Sequence, residues 1–533
     1  MADGAAVGLP DRSALGSPVG LPDRFAIGLP HGFPDGAALR LPLRLPHRTP
    51  RARPAGRYPM TSPDSVVPSP PHRPPDPFRR PWHIALGIAL VLSAAFATAQ
   101  VLYWAAPEIT SPLPWMRIYL LPQPPALRLT RVLLYSGWGV ALVLAAVLYG
   151  ATRAGRVRVV RVCRAAILTV LLLPYAVMAL DTLAGAPLTA LLCLATSAVA
   201  LLAVHRVQLY LRLPARLTLL AFAWGALVGS GFAIVMSMWF GWYAGGYLLD
   251  FERPRGSIRT LLALFALNAD FFSEVGKAAG VALVLLVFRR YVDGVVSGLV
   301  LGAASGIGLN LTETVRYMAE IEPGQPAAQF WTRQVVGLLT VHAVFSGLAG
   351  AGFGAALRAG PGRGRVSLCL SGLLAAFGGH LLFDTLMPLL DRRRRDLFSG
   401  AETLGVLVGV PLVTLIAAGP FVVLCLLLLR RGLREQAAVL RAALPVETAS
   451  GTGAVTPAEG GLLLSPGRRL LLELAVWRRD GTAGLRHLIR LQQAQLRLLH
   501  DPLPHRSDEV RQLKGLPPLS PNPTLPIDQG VSS

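Results

Sequence analysis

Between residues 83 and 429 the chain contains about ten runs of roughly twenty apolar residues, each long enough to cross a hydrocarbon core as a helix. The approximate spans are 83–105, 131–152, 165–184, 186–204, 217–241, 260–288, 294–318, 335–357, 366–388 and 403–429. Pro174, Asp181 and Pro187 interrupt the third and fourth, and 260–288 is long for one straight helix, so it is expected to begin as a broken or re-entrant piece. The fold class implied is all-α, a polytopic transmembrane helical bundle. Composition agrees, because 53% hydrophobic and 15% charged residues are too apolar for a soluble domain of 533 residues. A net charge of +22 would point to nucleic acid in a soluble protein, but the Arg residues concentrate in both tails and in short loops. That distribution fits anionic lipid, and no nucleic-acid partner is expected.

The flanks differ from this core. Residues 1–80 are rich in Pro, Gly and Arg and loosely repeat Gly8-Leu9-Pro10-Asp11-Arg12 at Gly20-Leu21-Pro22-Asp23-Arg24, so a disordered tail is expected. Residues 430–533 form a basic cytoplasmic tail with one or two amphipathic helices over 468–499, broken near Gly481 and Gly484, and disorder is expected beyond Pro502. Cys193, Cys369 and Cys425 lie in apolar runs and Cys163 in a short Arg-rich loop, which reads as structural use rather than disulfides or a zinc knuckle.

Basic loops set the orientation. Arg79 and Arg80, the loops around Arg153–Arg164, Arg206–Arg216, Arg289–Arg290 and Arg358–Arg365, and Arg430–Arg431 fall on one side if ten helices are counted. Both termini are therefore expected in the cytoplasm, in a bacterial plasma membrane. One loop disagrees, because Asp391-Arg392-Arg393-Arg394-Arg395-Asp396 would then be external.

Four polar clusters interrupt the apolar helices of the second half: Ser273-Glu274-Val275-Gly276-Lys277, Glu313, His342, and His380 with Asp384. Ionisable groups at membrane depth mark functional sites by default. At about 1.5 Å rise per residue, Glu274 stands roughly 22 Å above Arg289, Glu313 about 30 Å above Asp293, His342 about 24 Å above Arg358, and His380 and Asp384 about 22 and 28 Å above Arg365. Helices of alternating direction thus bring the clusters to one level. Glu274 and Lys277, three apart, share a helix face and can pair, and His380 and Asp384, four apart, also face the same way. Gly294, Gly298, Gly302 and Gly306 recur every fourth residue, and Ser346, Gly350 and Gly354 follow His342 at the same spacing. Two smooth faces of this kind let helices approach closely, which would bring Glu313 within reach of His342.

These motifs, together with Asp293-Gly294-Val295-Val296-Ser297-Gly298 and Gly306-Ile307-Gly308-Leu309-Asn310-Leu311-Thr312-Glu313, resemble the PrsW-type intramembrane proteases, within the wider group of CAAX prenyl endopeptidases and Abi-like proteins. The resemblance covers about residues 258–390. It implies an intramembrane endopeptidase acting on a membrane-anchored protein substrate such as a regulator, with water activated by Glu and His, by a divalent metal such as zinc, or by both. The catalytic set it implies is Glu274, Lys277, Glu313, His342, His380 and Asp384, and the metal set is Glu274, Glu313, His342 and His380. Ser273 departs from the family, which has the first Glu of a pair there, and a hydroxyl cannot replace a carboxylate as base. Asp270, one turn earlier, is the nearest acid that can supply the missing group. A catalytically inactive homologue acting as a membrane scaffold is the alternative that Ser273 favours. A transporter is a further alternative, but the first five helices lack a matching set of acids and no inverted repeat is visible.

Overall fold

The computed structural model describes residues 79–105, 125–243, 254–321, 324–360 and 362–516. The first 78 residues of the tail expected to be disordered, and residues 517–533, lie outside the described residues.

Every regular element among the described residues is helical. The long helices are α1 (Arg79–Ala105), α2 (Pro125–Arg153), α3 (Val157–Gly185), α4 (Pro187–Arg206), α5 (Ala215–Ala223), α6 (Ser230–Tyr243), α7 (Pro254–Val287), α8 (Val295–Arg316), α9 (His342–Arg358), α10 (Arg363–Leu397) and α11 (Val410–Ala449), followed by α12 (Pro457–Leu463), α13 (Pro466–His500) and α14 (Pro504–Leu513). Eight stretches of these are long and apolar enough to cross a membrane, and the protein is an integral membrane protein. Neither α7, which carries Asp270, Glu274 and Lys277, nor α9, which is 17 residues long, is among those eight.

The bundle is organised around α8. Of its apolar window 94% is buried inside the protein, because its small residues let neighbours reach the backbone on more than one side. A Cβ added at Gly298 would stand 2.0 Å from the carbonyl oxygen of Gly350, one at Gly302 2.0 Å from that of Ser346, and one at Gly306 2.1 Å from that of His342. The seam is reciprocal, since Gly350 and Gly354 of α9 meet the oxygens of Gly298 and Gly294 at 2.1 and 2.2 Å in the same sense. On another side α8 meets the π-helical turn Trp224–Gly229 between α5 and α6, where Gly225 packs on the Ser305 carbonyl and Thr312 Oγ1 donates to Ala226 O at 2.6 Å. Trp224 in turn donates from Nε1 to Gly276 O of α7 at 2.9 Å, which fixes the rotation of the helix that bears the first polar cluster.

A second layer is aromatic. Phe96, Tyr175, Phe232 and Phe272 stack edge to face across α1, α3, α6 and α7, and the buried Tyr175 hydroxyl donates to Leu92 O at 2.6 Å.

Several expectations are corrected, among them the loop expected around Cys163, which lies in α3. The run 260–288 does not begin as a broken piece, because α7 is continuous from Pro254 to Val287. The run 335–357 is broken: a π-helical segment, Phe330–Val336, ends at Gly337, whose N–H bonds to Thr332 O at 2.8 Å, and α9 starts afresh at His342. The Asp391–Asp396 stretch is not a loop but the last turns of α10, where Asp391 pairs with Arg394 and Arg395 one turn on. The boundary at 430 does not exist as a break, because α11 runs on to Ala449, its residues Ala437 and Leu440 packing on Leu463, Leu496 and Leu499 of the C-terminal helices.

That C-terminal group kinks at Gly481 (φ 66°), as the glycine spacing predicted, but α14 replaces the disorder expected after Pro502 over Pro504–Leu513. It is fastened to the loop before α5, with Arg469 donating to Leu209 O and Gln493 to Tyr210 O at 3.1 Å, while Gln436 of α11 donates to Asp293 in the turn before α8. Burial raises the pKa of the Asp293 carboxyl above its ordinary value. The four cysteines are free thiols.

Candidate active site

Four helices and one linking segment meet in a buried polar pocket of side chains. α7 presents Asp270, Ser273, Glu274 and Lys277 on one face, the consequence of spacings of three and four. Lys277 and Asp270 are fully buried, and Glu274, His342 and His380 are nearly so. Such burial is tolerable only if each charge is matched. Lys277 Nζ donates to Glu274 Oε1 at 2.5 Å and lies 3.4 Å from His342 Nδ1. The pairing expected within α7 is therefore made, and the ammonium also reaches across to α9.

α8 contributes Glu313 at its C-terminal end and α9 contributes His342 as its first residue. The glycine seam brings them together: His342 Nε2 is 2.6 Å from Glu313 Oε2. With that nitrogen engaged by a carboxylate, the other ring nitrogen faces the centre of the site, the arrangement by which carboxylates orient histidines. Arg333 reaches the same Glu313 oxygen at 3.5 Å from the π-helical segment, and its guanidinium lies 3.6 Å above the Tyr317 ring. Arg333 was missed by sequence reasoning. Its signal was available, a lone Arg in an aromatic and apolar stretch between Glu313 and His342.

α10 supplies His380 and Asp384. The His380 ring stands 5.0 Å from that of His342, edge to face, and stacks on Phe345 with centroids 5.3 Å apart. Its Nδ1 is 3.0 Å from Glu274 Oε1 and its Nε2 is 3.7 Å from Asp270 Oδ1, so one imidazole bridges two carboxylates of α7. Ser273 takes no part, since its hydroxyl donates to Asp270 O at 3.1 Å along its own helix. All six residues singled out in the sequence thus converge, and Asp270 joins them.

Two triads of donor atoms are suited to a metal ion. One oxygen or nitrogen from each of Glu274, His342 and His380 lies within 4.8 Å of the others, and the same holds for Asp270, His380 and Asp384. Glu313 belongs to neither group and touches His342 from outside. The donor chemistry fits a divalent cation, because imidazole and carboxylate are its common ligands and both Asp270 oxygens and Glu274 Oε2 are buried without a hydrogen-bond partner.

Comparison with known proteins bears on the same region. No curated protein and no solved structure matches the chain. A family model described as PrsW family intramembrane metalloprotease matches residues 213–447, a stretch that holds the π-helical turn, the glycine seam and every residue of the site and extends beyond the 258–390 region of the motifs. The motifs, the seam and the converged site all lie inside the stretch that is similar to this family.

Proposed function

We propose that this protein is an intramembrane endopeptidase that hydrolyses a peptide bond in a membrane-anchored protein substrate. The observation that carries the reading is the convergence of Glu274, His342 and His380 in a buried cluster whose charges are matched by Lys277 and Arg333. The distribution of basic loops supports a plasma-membrane location with both termini cytoplasmic.

The chemistry follows from which lone pairs are engaged. Lys277 holds Glu274 through Oε1, leaving Oε2 without a hydrogen-bond partner and free to take a proton from water. As the water oxygen adds to the scissile carbonyl, negative charge grows on the carbonyl oxygen, and the Lys277 ammonium is the donor at hand to stabilise it. Collapse of the adduct expels the amine, which takes the proton from Glu274. Glu313 keeps His342 turned so that Nδ1 faces this space. A divalent cation held by carboxylate and imidazole donors of this cluster would supply Lewis-acid polarisation and a more acidic water. The low dielectric of the buried site strengthens each of these interactions relative to water.

The test is cleavage of a panel of single-span membrane proteins by the purified protein beside Glu274→Gln, His342→Ala and Ser273→Glu variants. Loss of cleavage by at least about a hundredfold in the first two supports the reading. A wild type inert towards the whole panel, with activity gained in Ser273→Glu, overturns it and makes the chain an inactivated relative that binds rather than cuts.

A further inference from the structure

The two donor triads are not equivalent. The Glu274 side already contains a cation: Lys277 Nζ lies on Glu274 Oε1 and within 3.4 Å of His342 Nδ1, and a metal ion placed there would face an ammonium at contact distance. On the other side Asp270 is fully buried, with His380 Nε2 3.7 Å from its Oδ1 and a second carboxylate, Asp384, beside it, so that donor atoms of all three lie within 4.8 Å of one another. Two carboxylates side by side in such a place are costly unless a proton or a cation is held between them.

The charge count points the same way. Asp270, Glu274, Glu313 and Asp384 are four carboxylates, and the formally cationic side chains on them are two, Lys277 and Arg333. Two negative charges remain, both on the aspartate side.

We propose that Asp270, Asp384 and His380 Nε2 form a divalent-cation site, separate from the Glu274–Lys277–His342 side and joined to it through the shared His380 ring. The cation balances the two aspartates, fixes the imidazole that also faces Glu274, and leaves Glu274 to handle the proton. Asp270 thereby acquires a role for which the chain has no substitute at Ser273, whose hydroxyl is turned back onto its own helix. This inference rests on the protease reading for its use but not for its test.

The full-length protein in detergent, stripped with chelator, is titrated with Co²⁺ and followed by equilibrium dialysis and visible absorption. One equivalent is expected for the wild type and for His342→Gln, with affinity weakened about a hundredfold or more in Asp270→Asn and in Asp384→Asn. Asp270→His is expected to keep one equivalent with a shifted absorption band, which shows that the Asn variants fail by losing a ligand and not by misfolding. Binding abolished in His342→Gln but retained in both Asn variants overturns the assignment in favour of the glutamate triad. No Co²⁺ bound by the wild type overturns it in favour of two aspartates sharing protons. Cleavage without Co²⁺ binding sinks this inference alone, and Co²⁺ binding without cleavage sinks the protease reading alone.

Discussion

α8 and α2 both qualify by length and apolarity to cross a membrane, yet 94% of the apolar window of α8 is buried inside the protein and only 11% of that of α2. The difference lies in side-chain size, not in hydropathy. α2 shows Val132, Leu142, Val143 and Tyr149 on its outside, bulky groups that lipid solvates as well as protein does. α8 replaces such groups with Gly298, Gly302, Ala304, Ser305, Gly306 and Gly308, which have little to offer lipid and much to offer another backbone. Between lipid tails and a protein interior of equal polarity, close packing decides which helix goes to the centre.

A graded glycine series tests this most directly, and its largest effect belongs to the seam. Gly302→Leu would push a branched chain into Ser346 O, which a Cβ alone already meets at 2.0 Å. Helix against helix cannot rotate away, so loss of the folded state and of any cleavage is expected, read by detergent gel filtration and thermal unfolding. Retention of a wild-type melting temperature would break the contrast between the two helices. Next comes the site the seam holds together. Lys277→Met leaves Glu274 buried without its partner, and a destabilisation of about 3–5 kcal/mol is expected, partly recovered in Lys277→Met/Glu274→Gln. Equal stability of the single and double variants would show that water already reaches the pair.

α2 supplies the smaller steps. Gly137 is its one close approach, with Val170 O 2.9 Å from an added Cβ, so Gly137→Ala should cost about 1 kcal/mol, the low end of overpacking. Trp138→Phe removes the indole hydrogen bond to Ser93 Oγ at 2.7 Å and should cost about 1 kcal/mol or less. Gly150 has nothing within 4 Å of an added Cβ, and Gly150→Ala should stabilise by roughly 0.5–1 kcal/mol through helix propensity. If Gly150→Ala and Gly302→Ala shifted the melting temperature alike, the seam would carry no special weight.

What the sequence made legible follows the same division. The pairs Glu274/Lys277 and His380/Asp384 and the four-residue glycine repeat are local patterns, and a helix converts local spacing into a shared face without further information. The convergence of Glu313 on His342 could be read from two such repeats. The break at Gly337–Val341 could not, because Val335–His342 is as apolar and helix-compatible as its neighbours, and hydropathy reports surroundings, not continuity of the backbone. The same blindness hid the continuation of α10 through Arg392–Arg395 and of α11 past Arg430, since a charged stretch leaving the membrane reads as a loop whether or not the helix goes on. Asp270 was visible as an acid one turn from Glu274, but its nearness to His380 depends on the relative rotation of α7 and α10, which rests on contacts such as Trp224 against Gly276 and Gly280.

The glycine seam also bears on how any mutational survey of this protein should be interpreted. The Glu313–His342 contact is carried by backbones in register, with no intervening side chain able to change rotamer and absorb a change. Alanine at 298, 302, 306, 350 or 354 is therefore expected to look as damaging as alanine at His342, although none of these positions supplies a reacting atom. A scan scored by activity alone would report five extra members of the catalytic set. Only a parallel measure of folded yield would separate the hinge pins of the scaffold from the tools mounted on it.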